Sequence, residues 1–225
     1  MGMICVPIAA NKREEVIEKI LKANSVADML EFRLDLMGDP FSVDEMRTIT
    51  PLPVIATYRS IMEGGKGESD YERSLFYLLE AIDSGADFVD VEYRMPLKYR
   101  ERIFKRIDPE RIIISCHMVD RNPDIDELKD LLFKMAETGA DILKIVIRAE
   151  QPEDNIKALS LIPLAKRLGK EIISFCTGWA GRISRIATVP VGGYLTFASL
   201  EEGEETAEGQ IPAKKMKRLL EVIAS

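Results

Sequence analysis

Eight short apolar runs recur along the chain: Ile4 to Ile8, Met29 to Leu36, Val54 to Tyr58, Phe88 to Tyr93, Ile112 to Val119, Ile142 to Ile147, Ile172 to Phe175 and Tyr194 to Leu200. Their length and β-branched content predict strands. Between them lie charged segments with helical periodicity, including Arg13 to Ala23, Tyr71 to Ser84, Ile125 to Thr138 and Asn155 to Leu168. Gly85, Gly139 and Gly169 follow three of these, where helices commonly end. The chain of 225 residues therefore divides into units of about 28, the minimal size for a closed parallel barrel whose strands are apolar throughout because helices cover their outer face. An open doubly wound sheet is the alternative, but no GxGxxG follows the first strand and polar residues sit late in many strands rather than at one crevice. The expectation is an α/β fold, a (β/α)8 TIM barrel, with residues 1–225 as a single catalytic domain.

A strand buried on both faces should be apolar, so charged residues inside these runs need a reason. Arg33, Arg59, Glu92, His117 and Lys144 follow one another at separations of 26, 33, 25 and 27 residues, close to one unit each. In a barrel they can converge at the carboxyl ends of the strands, where active sites of this fold lie. Lys144 stands between Ile142-Leu143 and Ile145-Val146-Ile147, so alternation places it on one face with Ile142 and Val146. Its amine is expected to be desolvated, with Arg33, Arg59 or Arg185 near enough to favour a neutral nucleophile. The alternative is a lysine that snorkels from the strand end or pairs with Glu31 or Glu92. His117, the one histidine of the chain, lies a strand earlier and could shuttle a proton near neutral pH, although a lone histidine is usually structural. Glu31, Arg33 and Asp35 share a face, either as an internal ion pair or as ligands for substrate hydroxyls. Arg59 and Arg185 could hold a carboxylate in bidentate geometry. The acidic stretch Glu201 to Pro212 is a candidate lid or a solvated linker.

Composition narrows the function classes. Hydrophobic residues make up 46% and charged residues 31%, as in soluble proteins, and no apolar run approaches the ~20 residues that cross a bilayer. The start, Met1 to Pro7, lacks a basic segment and a long apolar stretch and reads as an opening strand preceded by a possible extra Met1-Gly2, not as a signal peptide. Cys5, Cys116 and Cys176 are odd in number and scattered, which predicts buried thiols in a reducing cytoplasm rather than disulfides or zinc. A net charge of −7 argues against a nucleic-acid partner, because phosphate binding depends on a surplus of cations.

Taken together, the segments Glu31-Phe32-Arg33-Leu34-Asp35, Arg59-Ser60 with Glu63-Gly64-Gly65, Ser115-Cys116-His117, Leu143-Lys144-Ile145, Gly181 with Ser184-Arg185, and Gly209-Gln210-Ile211 resemble the type I 3-dehydroquinate dehydratases in order and spacing. The resemblance implies dehydration of 3-dehydroquinate to 3-dehydroshikimate in the shikimate pathway, without metal or cofactor. By the same resemblance Lys144 is the Schiff-base lysine, His117 the general acid and base, Glu63 the carboxylate that orients His117, and Arg185 the clamp on the substrate carboxylate. Glu31, Arg33 and Arg59 would contact ring hydroxyls and shape the pocket, and Thr206 and Gln210 would belong to a lid in which a serine commonly stands where Thr206 does. A homodimer is also implied. Phe175-Cys176-Thr177-Gly178 departs from the family, many of whose members carry methionines there. Three rivals are a class I aldolase of sugar phosphates, which needs a phosphate site, a metal-dependent barrel enzyme using Glu31, Asp35, Glu92 and His117, and a barrel that has become a binding module.

Overall fold

The structure, a computed structural model, describes residues 3–38 and 42–224; Met1-Gly2 lies outside them. Its strands are β1 (Met3–Ile8), β2 (Met29–Arg33), β3 (Val54–Thr57), β4 (Phe88–Glu92), β5 (Ile112–Met118), β6 (Ile142–Arg148), β7 (Glu171–Thr177) and β8 (Leu195–Phe197). Helices α1 (Arg13–Ala23), α2 (Val43–Arg47), α3 (Tyr71–Asp83), α4 (Leu97–Phe104), α5 (Ile125–Ala136), α6 (Asp154–Arg167), α7 (Arg182–Ala187) and α8 (Ala213–Ala224) follow them in alternation. All strands are parallel. They run in order from β1 to β7, with β8 on the other side of β1. The ring comes together between β7 and β8, where the Tyr194 amide donates to the Ile172 carbonyl at 2.7 Å. This is the (β/α)8 barrel, and the open sheet is excluded.

Side-chain alternation divides the apolar residues into two cores. On β6, Leu143, Ile145 and Ile147 face outward into the layer shared with the helices, whereas Ile142 and Val146 point into the barrel. The inner core is completed by Cys5, Met29, Ile55, Ile113, Ile173, Phe175, Leu195 and Phe197, which fill the barrel floor and leave the mouth to polar groups. All three cysteines are free and buried. No described helix is long and apolar enough to cross a membrane.

The helices start and stop for local reasons. Asp70 and Asp124 each accept a backbone N–H in the first turn of α3 and α5, at 2.9 and 2.8 Å, the capping role for which Asp is preferred. Gly85, Gly139 and Gly169 take positive φ beyond α3, α5 and α6, as the sequence predicts. The run Met29 to Leu36 is not one strand. It ends at Arg33 and continues as a 3-10 turn over Leu34–Leu36, because the Arg33 guanidinium folds onto the Asp35 carboxylate in two hydrogen bonds of 2.9 and 2.8 Å. The last strand is also shorter than its apolar run, since the chain past Phe197 leaves the sheet to begin the loop above the barrel mouth.

Leu161 of α6 is fully buried in the outer layer. Leu161→Ala should lower the unfolding free energy by about 2–5 kcal/mol through lost burial and a residual cavity, read as a lower urea midpoint at unchanged slope.

Candidate active site

The carboxyl ends of the strands surround a cavity of about 290 Å³. It is lined by Lys144, His117, Glu63, Glu31, Arg33, Arg59, Arg185, Thr206 and Gln210, and also by Val146, Arg148, Phe175, Phe197 and Glu208. The nine side chains that the family resemblance names thus face one space, whereas Glu92 and Asp35, also singled out from the strands, do not line it.

Lys144 sits at mid-strand in β6, 3% exposed, in register with Ser115 of β5 and Ile173 of β7. Its Nζ donates to Asp90 Oδ2 at 2.9 Å, lies 3.7 Å from Glu31 Oε1 and stands 4.3 Å from the centre of the Phe197 ring. The groups in direct contact with this amine are carboxylates, while of the arginines expected near it Arg59 shares Asp90 with it and Arg33 and Arg185 line the same cavity. The pairing partners are Glu31 and Asp90, not Glu92. Glu31 accepts a further hydrogen bond from Thr57 Oγ1 at 2.8 Å.

His117 lies on β5 two residues nearer the mouth than the partner of Lys144, roughly 6.6 Å further along the strand direction. Its Nδ1 is 3.0 Å from Glu63 Oε2, and the same oxygen accepts the His117 backbone N–H at 2.9 Å. Glu63 is carried by the 3-10 turn Ile61–Glu63 after β3 and is 2% exposed. With Nδ1 engaged, Nε2 is the ring nitrogen left for a ligand in the cavity. Burial, reinforced by the positive charges of Arg59 and Lys144, holds the imidazole well below its ordinary value. Burial also pushes Glu63 up to about 8, with Arg59 opposing and Glu92 adding to the rise. Because the two side chains meet at 3.0 Å, a change of charge on either is felt by the other.

Arg59 is the most connected cation of the site. One terminal nitrogen, Nη1, lies 3.3 Å from both Glu63 Oε2 and Glu92 Oε1 and donates to Ser115 Oγ at 2.9 Å. The other, Nη2, is 2.7 Å from Asp90 Oδ1, an ion-pair distance without good hydrogen-bond alignment. Arg33 is engaged by Asp35, which also accepts the Arg59 and Lys66 amides at 3.2 and 3.1 Å. Burial alone would raise Asp35, but these donors outweigh it and hold the carboxyl below its usual range. Neither guanidinium is thus free of protein carboxylates.

Arg185 differs. It is 1% exposed in α7, stacked 4.5 Å over the Phe175 ring, and donates only to the Glu208 carbonyl, at 3.2 Å. Its Nε has no partner, and it has no carboxylate within salt-bridge reach among the described residues. Burial lowers it to about 10, with Arg182 adding to the fall. A buried guanidinium without a counter-charge is costly unless an anionic ligand completes it.

The stretch Glu201 to Pro212 crosses the mouth. The Gln210 side-chain carbonyl accepts the Thr206 and Ala207 amides at 2.8 and 3.3 Å and the Thr206 hydroxyl at 3.4 Å, which folds the loop on itself. Glu208 reaches Arg148, at the end of β6, at 3.2 Å. Gly209 has φ +83, and an added Cβ would lie 2.3 Å from the Gly178 carbonyl oxygen, so only glycine allows this approach. The four residues that could have formed a metal set, Glu31, Asp35, Glu92 and His117, are separately engaged by Lys144, Arg33, Ser60 with Arg59, and Glu63.

Three members of the site were not singled out from the sequence. Asp90 lies two residues before Glu92 on the same face of β4, and its place in Phe88-Val89-Asp90-Val91-Glu92 was a usable signal. Ser115, at the same spacing before His117, links Asp90 to Arg59. Arg148 reads as an ordinary strand-end charge, and nothing local marks it.

Comparison with known proteins places this geometry. A family model described as Type I 3-dehydroquinase matches residues 4–225. A protein of Methanococcus maripaludis named 3-dehydroquinate dehydratase is 35% identical over 98% of this chain and 100% of its own length. A type I 3-dehydroquinate dehydratase from Clostridium difficile, solved with covalent modified comenic acid, superposes with a TM-score of 0.87 at 25% identity, covering 99% of this chain and 92% of that one. The 3-dehydroquinate dehydratase of Geobacillus kaustophilus gives the same score and identity over 100% and 91%.

The coupling of Glu63 and His117 is open to measurement. Nitrogen NMR of the imidazole should show the pair taking up a proton as pH falls through about 8. In Glu63→Gln that event should vanish, leaving only ring protonation below its ordinary value. An unshifted, isolated histidine titration in the unsubstituted protein would contradict the coupling.

Proposed function

The chain belongs to the type I 3-dehydroquinase family, and from that premise we propose that it dehydrates 3-dehydroquinate to 3-dehydroshikimate through an imine on Lys144. The observation that carries this reading is the joint exposure to one cavity of a buried amine, an imidazole held through Nδ1, and a guanidinium without a counter-charge. A ligand with a ketone, an acidic hydrogen beside it and a carboxylate at the far end matches all three. The Clostridium difficile relative, solved with covalent modified comenic acid, supports covalent chemistry in the family.

The steps follow from the groups. Lys144 Nζ adds to the ring ketone, and loss of water leaves a protonated imine that draws electrons from the adjacent carbon. His117 Nε2 removes a proton from that carbon, the tertiary hydroxyl departs, and the imidazole returns the proton to the leaving oxygen. Hydrolysis of the product imine restores the amine. The imine supplies the electron sink, so the scheme calls for no metal or cofactor.

Glu63 fixes the ring of His117 in this scheme, and Arg185 binds the substrate carboxylate. Glu31, Arg33 and Arg59 form the polar wall facing the ring hydroxyls, and Thr206 and Gln210 close the mouth. Phe175, on the strand where many family members carry methionines, and Phe197 supply the apolar wall. The whole of residues 1–225 acts as one catalytic domain, and the family relationship favours a cytoplasmic homodimer on the route to aromatic amino acids.

Borohydride added with 3-dehydroquinate should reduce the imine and leave a covalent adduct on Lys144, detectable by mass spectrometry. Lys144→Ala should give neither adduct nor dehydroshikimate absorbance, and turnover surviving in that variant would overturn the mechanism. In His117→Ala the adduct should still form while turnover falls by about 10²–10⁴-fold. EDTA should leave activity unchanged.

A further inference from the structure

We infer that Asp90 is the fixed counter-charge of the Lys144 nitrogen, holding it in place as an ammonium at rest and compensating the protonated imine during turnover. This rests on the reading of Lys144 as the imine-forming group and adds a residue that the sequence did not reveal.

Asp90 is 1% exposed. Its two oxygens have different partners: Oδ2 accepts from Lys144 Nζ at 2.9 Å, while Oδ1 accepts from Ser115 Oγ at 2.5 Å and lies 2.7 Å from Arg59 Nη2. The carboxylate thus faces the reacting nitrogen with one oxygen and is clamped by donors on the other. Glu31 is the other candidate, but it lies 3.7 Å from the nitrogen and its near oxygen also accepts the Thr57 hydroxyl.

Charge balance shows why a clamped carboxylate suits this position. An ammonium and a ketone condense to an iminium and water, so the nitrogen begins and ends that step with one positive charge. Proton loss at the adjacent carbon converts the iminium to a neutral enamine, and departure of the hydroxyl with the returned proton regenerates a positive, conjugated iminium. The nitrogen therefore cycles between positive and neutral in a buried place. An unclamped carboxylate there could take the iminium proton and remove the electron sink. Arg59 and Ser115 prevent this by stabilising Asp90 as an anion, even when the nitrogen is neutral. In the resting site burial would raise Asp90, but Arg59 and Lys144, assisted by Ser115, outweigh it and hold it far below the usual carboxylate range; His117 acts in the same direction.

The test is Asp90→Asn, which keeps the shape and removes the charge. The turnover number should fall on the order of a hundredfold, the scale seen when a positioned charge-stabilising group is lost, while KM changes by less than about threefold. Borohydride should still trap the adduct, and the lowest pH at which it does so should move down, because the amine no longer has its anion. A merely structural role would not shift trapping in that direction. Unchanged turnover and unchanged pH dependence of trapping would overturn the inference while leaving the imine mechanism standing. Turnover retained by Lys144→Ala would instead remove the mechanism itself. Should Asp90→Asn not fold, Ser115→Ala decides: withdrawing one donor from the clamp should lower turnover about three- to tenfold with trapping intact, and full activity there would overturn the inference.

Discussion

Arg59 is buried and surrounded by three carboxylates, each of which also holds something else. Glu92 turns back to the Ser60 amide and hydroxyl, both at 2.8 Å, and so fixes the turn that follows β3. Glu63, on that turn, grips the His117 backbone and ring. Asp90 reaches the Lys144 amine. Burying a guanidinium costs several kcal/mol unless it is paired and hydrogen-bonded, and the pairing here runs through the groups that orient the site. The electrostatic satisfaction of one arginine and the placement of the imidazole and the amine are therefore one structural problem.

The barrel makes this possible by separating two jobs along each strand. Outward residues, such as Leu143, Ile145 and Ile147, carry the fold by packing under the helices. Inward residues near the amino ends, such as Met29, Ile55 and Ile113, seal the floor. Only the inward positions near the carboxyl ends remain for polar groups, and there a dry floor strengthens every charge interaction. The aromatic rings of Phe175 and Phe197 line this boundary, one beneath Arg185 and the other beside Lys144.

Much of this was legible in the chain because buried parallel strands leave a plain trace. A charged residue inside Ile142-Leu143-Lys144-Ile145-Val146-Ile147 has its face fixed by alternation, and unit-length spacing brings it beside His117. What alternation does not fix is which long side chain from a neighbouring strand reaches that residue. Arg33 is drawn to Asp35 two residues on, whereas Arg59 extends to Asp90 of β4 and meets there the carboxylate that Lys144 also contacts. Asp90 escaped notice because Glu92 already stood for its strand. Two acidic residues at period two read as redundancy: the register levels Glu92 with Ser115 and Lys144, yet it is the deeper Asp90 whose carboxylate meets the amine. The end of β2 was misplaced for a related reason: a local Arg33–Asp35 ring turns the chain where the apolar pattern would let it continue.

The charges in the cavity are unevenly distributed, and the imbalance has a direction. At the Arg59 end four carboxylates, Glu31, Glu63, Asp90 and Glu92, face three cations, Arg59, Lys144 and the exposed Arg94, which lies 3.9 Å from Glu63. That excess, together with burial, accounts for the rise of Glu63 to about 8, since like charges in a dry site are relieved by binding a proton. At the opposite end the imbalance reverses, and Arg185 is a cation without an acid. Under the proposed function, the uncompensated Arg185 is the end that draws an anionic ligand, which would direct its carboxylate to α7. The rest of the molecule then extends toward Lys144 and His117. On that reading, orientation is set by the cation that the protein leaves uncompensated, while the carboxylate-rich end holds the amine and the imidazole.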